Sequence, residues 1–179
     1  ISDASRIDAE LARGQMNQID LGRVLAALVQ VHYTAAEGPA VEARHARLIF
    51  RSDEDNYIVD GIEGRLVQVF QNLISNAQSF TPPAGEISLS ARRDRNDIVV
   101  RVDDQGPGIP VDSLSSIFER FYSERPDGET FGRHSGLGLS ISRQIVEAHG
   151  GVIHAENLYG DQGKCRGARF IVRLPASRT

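Results

Sequence analysis

The period of the hydrophobic pattern changes along the chain, and each change predicts an element. Over 61–80, Ile62, Leu66, Val69, Phe70, Leu73 and Ala77 recur every three or four residues, as the core face of an amphipathic helix does. Leu21, Val24, Leu25, Leu28 and Val31 predict another helix over 21–37, with Asp20 as its cap and Gly38-Pro39 as its stop. Ile1, Ala4, Ile7 and Leu11 share that spacing and read as the end of a longer helix, closed by Gly14. Short strands are expected near 47–51 and 57–59, joined by the polar turn 52–56. After Thr81-Pro82-Pro83 the period drops to two. Ile87, Leu89 and Ala91 alternate with polar residues over 86–92, then Ile98, Val100 and Val102, and finally Ala168, Phe170, Val172 and Leu174 against Arg169, Ile171 and Arg173. A short helix is expected over 111–117. A longer one starts at 137, buries Leu137, Ile141, Ile145 and Ala148, and stops at Gly150-Gly151. Such alternation marks a sheet covered on one side, so the pattern predicts a two-layer α/β sandwich with a mixed, mostly antiparallel sheet and helices on one face. A doubly wound parallel sheet would need apolar runs instead.

Polar residues that interrupt an apolar series are the candidate chemistry. In the strand from 98, the series Ile98, Val100, Val102 continues with Asp104, so a carboxylate is aimed at the covered side. Burying it costs several kcal/mol unless donors wait there. Gly106 and Gly108 come next and let another group come close to the backbone. Together they read as a pocket floor that accepts a hydrogen bond from an amine, such as the exocyclic amine of adenine; the plain alternative is a turn in which Asp104 caps the next helix.

Beside the apolar face of 61–80 lies a stripe of amides four residues apart, Gln68, Asn72 and Asn76. Gln68 suits solvated surface, whereas two asparagines on adjacent turns suit ligands for a hydrated cation or a phosphate. Phe118 and Phe121 read as core aromatics anchoring one side of the segment 123–135. That segment lacks a periodic apolar pattern and is read as a lid. At Ser135-Gly136-Leu137-Gly138-Leu139 a helix begins with free backbone amides and the positive end of its dipole, which suits a phosphate; the plain alternative is glycines that serve packing. No Gly-Lys-Ser/Thr comes after it and no strand immediately precedes it, so it is neither a Walker loop nor a dinucleotide fingerprint.

Composition narrows the partners. The 179 residues carry a net charge of -4 without a basic run, which argues against nucleic acid. The single Cys165 excludes an internal disulfide and fits a reducing, cytoplasmic setting. No apolar run approaches the roughly 20 residues of a membrane span, so no membrane contact is expected of this segment. The chain opens on Ile1, and we read it as a fragment of a longer parent.

In order, the chain shows Asn-Leu-Ile-Ser-Asn-Ala at 72–77, Asp-Gln-Gly-Pro-Gly-Ile at 104–109, Phe-Glu-Arg-Phe-Tyr at 118–122 and Gly-Leu-Gly-Leu at 136–139. This resembles the N, G1, F and G2 boxes of the catalytic ATP-binding domain of sensor histidine kinases, in the Bergerat-type ATPase/kinase superfamily. The resemblance covers nearly all of 18–179. Residues 1–17 resemble the end of a dimerisation and phosphoacceptor hairpin, in the manner of ChvG-type membrane sensors. It implies ATP and Mg²⁺, with Asp104 on the adenine amine, Asn76 on the metal with Asn72 close by, Gly106 and Gly108 shaping the pocket, and Gly136 and Gly138 near the phosphates. Ile109, Arg120, Phe121, Ser135, Leu137 and Leu139 join the nucleotide site by the same resemblance. Its implied partners are a phosphoacceptor histidine domain and a response regulator, and its implied parent is an inner-membrane sensor.

Departures from the family pattern are Ser79 and Phe80, where many relatives have Lys and Tyr, Ser123 where many have Arg, and His134 where many have Gly. Arg120, Arg125 and Arg133 are the candidate replacement cations. None of His32, His45, His134, His149 and His154 precedes an acidic residue as a phosphoacceptor does, so the chain alone is expected not to autophosphorylate. An ATP-hydrolysing clamp on the same pocket is the competing reading. Relatives of that kind carry Glu at the position of Asn72, and an amide cannot take a proton at neutral pH. A nucleotide-sensing module without transfer is the third.

Overall fold

The computed structural model describes residues 16–35, 45–53, 56–122 and 137–178, with a few isolated positions before residue 16. Its elements are β1 (Asn17–Asp20), α1 (Leu21–Ala35), β2 (Arg47–Ser52), β3 (Ile58–Gly61), α2 (Glu63–Phe80), β4 (Glu86–Asp94), β5 (Asp97–Asp103), α3 (Gly138–Ala148), β6 (Val152–Tyr159) and β7 (Cys165–Pro175). Five strands form one sheet in the order β2-β4-β5-β7-β6, and β1 pairs with β3 in a separate ribbon. Only β2 and β4 run parallel in the large sheet; the other pairs are antiparallel. This is the mixed two-layer α/β arrangement that the alternation predicts.

Register explains the layering. Phe50, Leu89, Val102, Phe170 and Ala155 line up across the sheet in one row, and Ala91, Val100, Val172 and Ile153 in the next. Onto these rows α2 lays Leu66, Val69, Phe70, Leu73, Ile74 and Ala77, all buried. Each large aliphatic or aromatic side chain moved out of water there contributes about 1.5–3 kcal/mol, so the face, not intrinsic propensity, holds the helix. Phe118 adds an edge-to-face contact with Phe170, ring centroids 6.1 Å apart.

Asp20 does cap α1, its Oδ1 accepting from the Gly22 N–H at 2.9 Å. At the far end of α3, Gly150 adopts φ +74° and Gly151 N–H returns to the Val146 carbonyl, closing the helix as expected. Other expectations need correcting. The strands expected near 47–51 and 57–59 are present as β2 and β3, and their partners come from elsewhere, since β2 adds to β4 and β3 to the unforeseen β1. Segment 111–118 is two 3-10 turns rather than one helix. On α3 the buried set is Ser140, Ser142, Ile145 and Val146, with Leu137, Ile141 and Ala148 only half-buried. Strand β6 was not foreseen at all. The reading of 1–13 and the Gly38-Pro39 stop fall largely or wholly outside the described residues.

Candidate nucleotide site

Asp104 comes directly after the last residue of β5 and continues its ladder, its N–H donating to the Ala168 carbonyl at 2.9 Å. The alternation therefore carries its side chain to the covered side, where the residue is 4 % exposed. Two backbone donors wait there. Oδ1 accepts from Gly106 N–H at 2.8 Å and from Ala168 N–H at 3.1 Å. Burial pushes the Asp104 pKa above the ordinary carboxylate range, the two N–H groups pull it partly back, and neighbouring Asp103 adds to the rise. Oδ2 accepts no hydrogen bond among the described residues, so one acceptor oxygen is held and the other is spare.

The two glycines of the adjoining turn are required by the chain's own atoms. A Cβ on Gly106 would lie 2.9 Å from Phe80 Cβ and 3.0 Å from the Phe80 carbonyl. Gly108 takes φ +82°, and a Cβ there would lie 2.3 Å from Cys165 Sγ. Ile109 is clamped on both sides by one side chain: its N–H donates to Asn157 Oδ1 at 2.7 Å, and its carbonyl accepts from Asn157 Nδ2 at 2.6 Å. Gly167 lies against the same turn so closely that a Cβ would sit 1.9 Å from the Asp104 carbonyl oxygen. Asn157 and Gly167 were missed by sequence reasoning. For Asn157 the signal was present: Ile153, Ala155 and Asn157 repeat on β6 the pattern of apolar positions ending in a polar one that exposed Asp104.

Of the amide stripe, Gln68 accepts from Arg65 Nη1 at 3.0 Å, a surface role. Asn72 is half-buried and faces α3. Its Nδ2 donates to the Gly138 carbonyl and to Ser142 Oγ, both at 3.3 Å, which leaves its Oδ1 for another partner. Asn76, one turn on and half-buried, has no side-chain hydrogen bond among the described residues. Two amide oxygens on one helix face are thus available, and hard oxygen donors that leave room for water and phosphate suit Mg²⁺. The residues present fit that ion.

Gly138 is the first residue of α3 and Leu137 its N-cap, with no side-chain cap bond. The helix start therefore faces Asn72 with its amide hydrogens unclaimed by a capping side chain. Leu139 is half-buried against the core. Ser135 and Gly136, and the segment 123–135 read as a lid, with Arg125, Arg133 and His134, lie outside the described residues. Arg120 is exposed. Phe121 is not the core aromatic expected: it is 75 % exposed at φ +62°, a backbone state non-glycine residues rarely take. Among the described residues neither makes a hydrogen bond or ion pair with Asp104, Asn72 or Asn76.

Residues 61–178 match the family model described as histidine kinase-, DNA gyrase B-, and HSP90-like ATPase, and the chain belongs to that family. It is the ATPase domain of a sensor histidine kinase. The chain is 48 % identical to the sensor protein ChvG of Rhizobium meliloti over 98 % of its own length, and 42 % identical to that of Agrobacterium fabrum over its full length. It spans only 31 % and 30 % of those relatives. Among solved structures, a nucleotide-free catalytic domain of the histidine kinase ThkA superposes with a TM-score of 0.74 at 26 % identity, covering 92 % of this chain and 99 % of that one. A mycobacterial sensor histidine kinase, MprB, has the same fold, with a TM-score of 0.72 at 24 % identity, covering 92 % of this chain and 99 % of that one.

Proposed function

We propose that this chain binds Mg-ATP and presents the γ-phosphate to a histidine on a phosphoacceptor domain of the same parent, for relay to a response regulator. The observation that carries the proposal is the division of labour within Asp104. With Oδ1 held by two backbone donors, Oδ2 is set to accept the exocyclic amine of adenine without further ordering. Gly106, Gly108 and Ile109 hold the turn beneath the base, and Phe80 lies beside Gly106 on the same side. Asn72 and Asn76 offer amide oxygens towards the polyphosphate end, and the start of α3 at Leu137, Gly138 and Leu139 offers amide hydrogens. Ser135, Gly136, Arg120 and Phe121 complete the nucleotide-binding assignment. Mg²⁺, when bound, would offset the charge that builds on the transferred phosphoryl oxygens. The chain's own work is to fix the base, seat the phosphates and exclude competing geometries.

Asn72 speaks against the hydrolytic clamp. Its amide donates towards α3, and an amide has no basic site with which to activate water at neutral pH. The chain is therefore expected to transfer phosphate only when an acceptor hairpin is supplied. The deciding experiment mixes the 179-residue chain with labelled ATP, Mg²⁺ and a cognate phosphoacceptor hairpin. Acid-labile label on the hairpin histidine supports the proposal. Steady multiple-turnover hydrolysis, or strong self-labelling of the chain alone, overturns it.

A further inference from the structure

The sequence has no basic run, yet the fold gathers arginines from distant segments onto one face. On the sheet face away from the helices, register brings Arg51, Arg92, Arg101, Arg169 and Arg173 together from four strands. Most are neutralised. Arg51 lies 3.5 Å from Glu86, Arg173 bridges Asp94 and Asp97 at 3.0 and 3.1 Å, and Arg169 makes a two-pronged pair with Asp103 at 2.7 and 2.6 Å and reaches Glu156 at 3.5 Å.

Arg92 and Arg101 are the exceptions. Neither makes an ion pair or side-chain hydrogen bond among the described residues, and the Nε of Arg101 is buried without a partner. Burial, then the charges of Arg92 and Arg169, hold the Arg101 pKa below its ordinary value. Two guanidinium groups are thus left without a direct partner among the described residues, Asp103 and Glu156 acting on Arg101 without an ion pair or hydrogen bond to it. Since Arg92 pairs in register with Val99, it is a diagonal neighbour of Arg101, at a separation of about 7–8 Å.

We propose that Arg92 and Arg101 form a docking site for an acidic segment of a partner protein. Alternate residues of an extended segment lie about 7 Å apart, so two carboxylates at that spacing meet the two guanidinium groups together. The flanking Glu86, Asp103, Glu156, Asp94 and Asp97 favour a narrow acidic segment over a broad anionic surface. A bilayer or a nucleic-acid backbone would bring continuous negative charge onto those carboxylates. The site lies on the opposite side of the sheet from Asp104 and does not depend on the nucleotide assignment.

The test is a titration of the ¹⁵N-labelled chain with hexaglutamate at near-physiological salt, monitoring the arginine side-chain Nε–H resonances. Those of Arg101 and Arg92 are expected to move together, and that of exposed Arg23 to stay. The double variant Arg92→Gln/Arg101→Gln is expected to bind hexaglutamate at least tenfold more weakly, and Arg23→Gln to match the parent. Unmoved Arg92 and Arg101 signals, undiminished binding by a folded double variant, or a larger response to phosphatidylserine vesicles or hexathymidylate overturns the proposal. Should the double variant fail to fold, the parent resonances decide.

Discussion

The two ends of the proposed nucleotide site are built on different principles. At the purine end the chain has already committed its groups: Asp104 Oδ1 has two donors, Ile109 is held at both its N–H and its carbonyl by Asn157, and Gly106, Gly108 and Gly167 are packed too tightly for a side chain. At the metal end, Asn72 makes two long hydrogen bonds and Asn76 none among the described residues. The first end is pre-organised, and recognition there costs little further ordering. The second is left under-satisfied, as a site must be whose remaining ligands come from solvent and from the phosphates themselves.

That contrast breaks most readily at Asp104. Asparagine there can keep its carbonyl oxygen on Gly106 and Ala168 while placing an NH₂ where Oδ2 stands, turning acceptor into donor against the adenine amine. We expect Mg-ATP affinity to fall by about a hundredfold or more, equivalent to about 2.7 kcal/mol, with the fold retained. Calorimetric titration giving undiminished affinity would remove adenine from this end of the site.

Asn157→Ala tests whether rigidity, not just the carboxylate, matters. It leaves the Ile109 N–H and carbonyl unpaired, for a stability loss of about 1–3 kcal/mol. Nucleotide affinity should drop by about tenfold, at 1.4 kcal/mol per decade. A variant that loses stability but binds ATP as before would show that the turn need not be pre-set.

Asn76→Ala probes the open end. With no intramolecular bond to lose, the fold should be untouched, and ATP affinity should fall by about fivefold with Mg²⁺ (under 1.4 kcal/mol) and not at all with EDTA. Equal losses under both conditions would rule Asn76 out as a metal ligand.

The smallest effect expected is on pH dependence. The folded pKa of Asp104 lies above the unfolded value of about 3.9, so between the two the native state holds the extra proton and stability falls as pH rises. Above that window Asp104 is a net cost. Asp104→Asn should therefore flatten this part of the stability–pH curve and lose the acid limb of ATP binding, in which protonation removes the acceptor. A parent and variant with superimposable melting-temperature profiles from pH 4 to 7 would contradict the buried-carboxylate account.

Much of this was legible in the sequence wherever one periodicity ruled. Asp104 stood out because it continues an apolar series, and α2 because its stripe is uninterrupted over five turns. The alternation at β4, β5 and β7 gave the covered face directly. Strand β6 escaped because His154 and Glu156 lie on its other face and two glycines precede it, so its apolar half is only Ile153 and Ala155 before Asn157. The pairing of β2 with β4 rather than β3 was illegible for another reason. Strand partners are chosen by which edge offers a matching row of side chains, and the polar turn at 52–56 does not specify that. The exposure of Phe121 depends on a positive φ that an aromatic residue does not advertise.

His149 has a bearing on how the two site helices behave together. Its buried ring donates from Nδ1 to the Ile145 carbonyl at 2.7 Å and accepts at Nε2 from Ile62 N–H at 3.1 Å, standing in for the missing side-chain cap of α2. With Asn72 bridging to Gly138 further along, α3 is pinned to α2 near both of its ends. The pair should tilt as a single plank, so that any force reaching one helix is delivered undivided to the other.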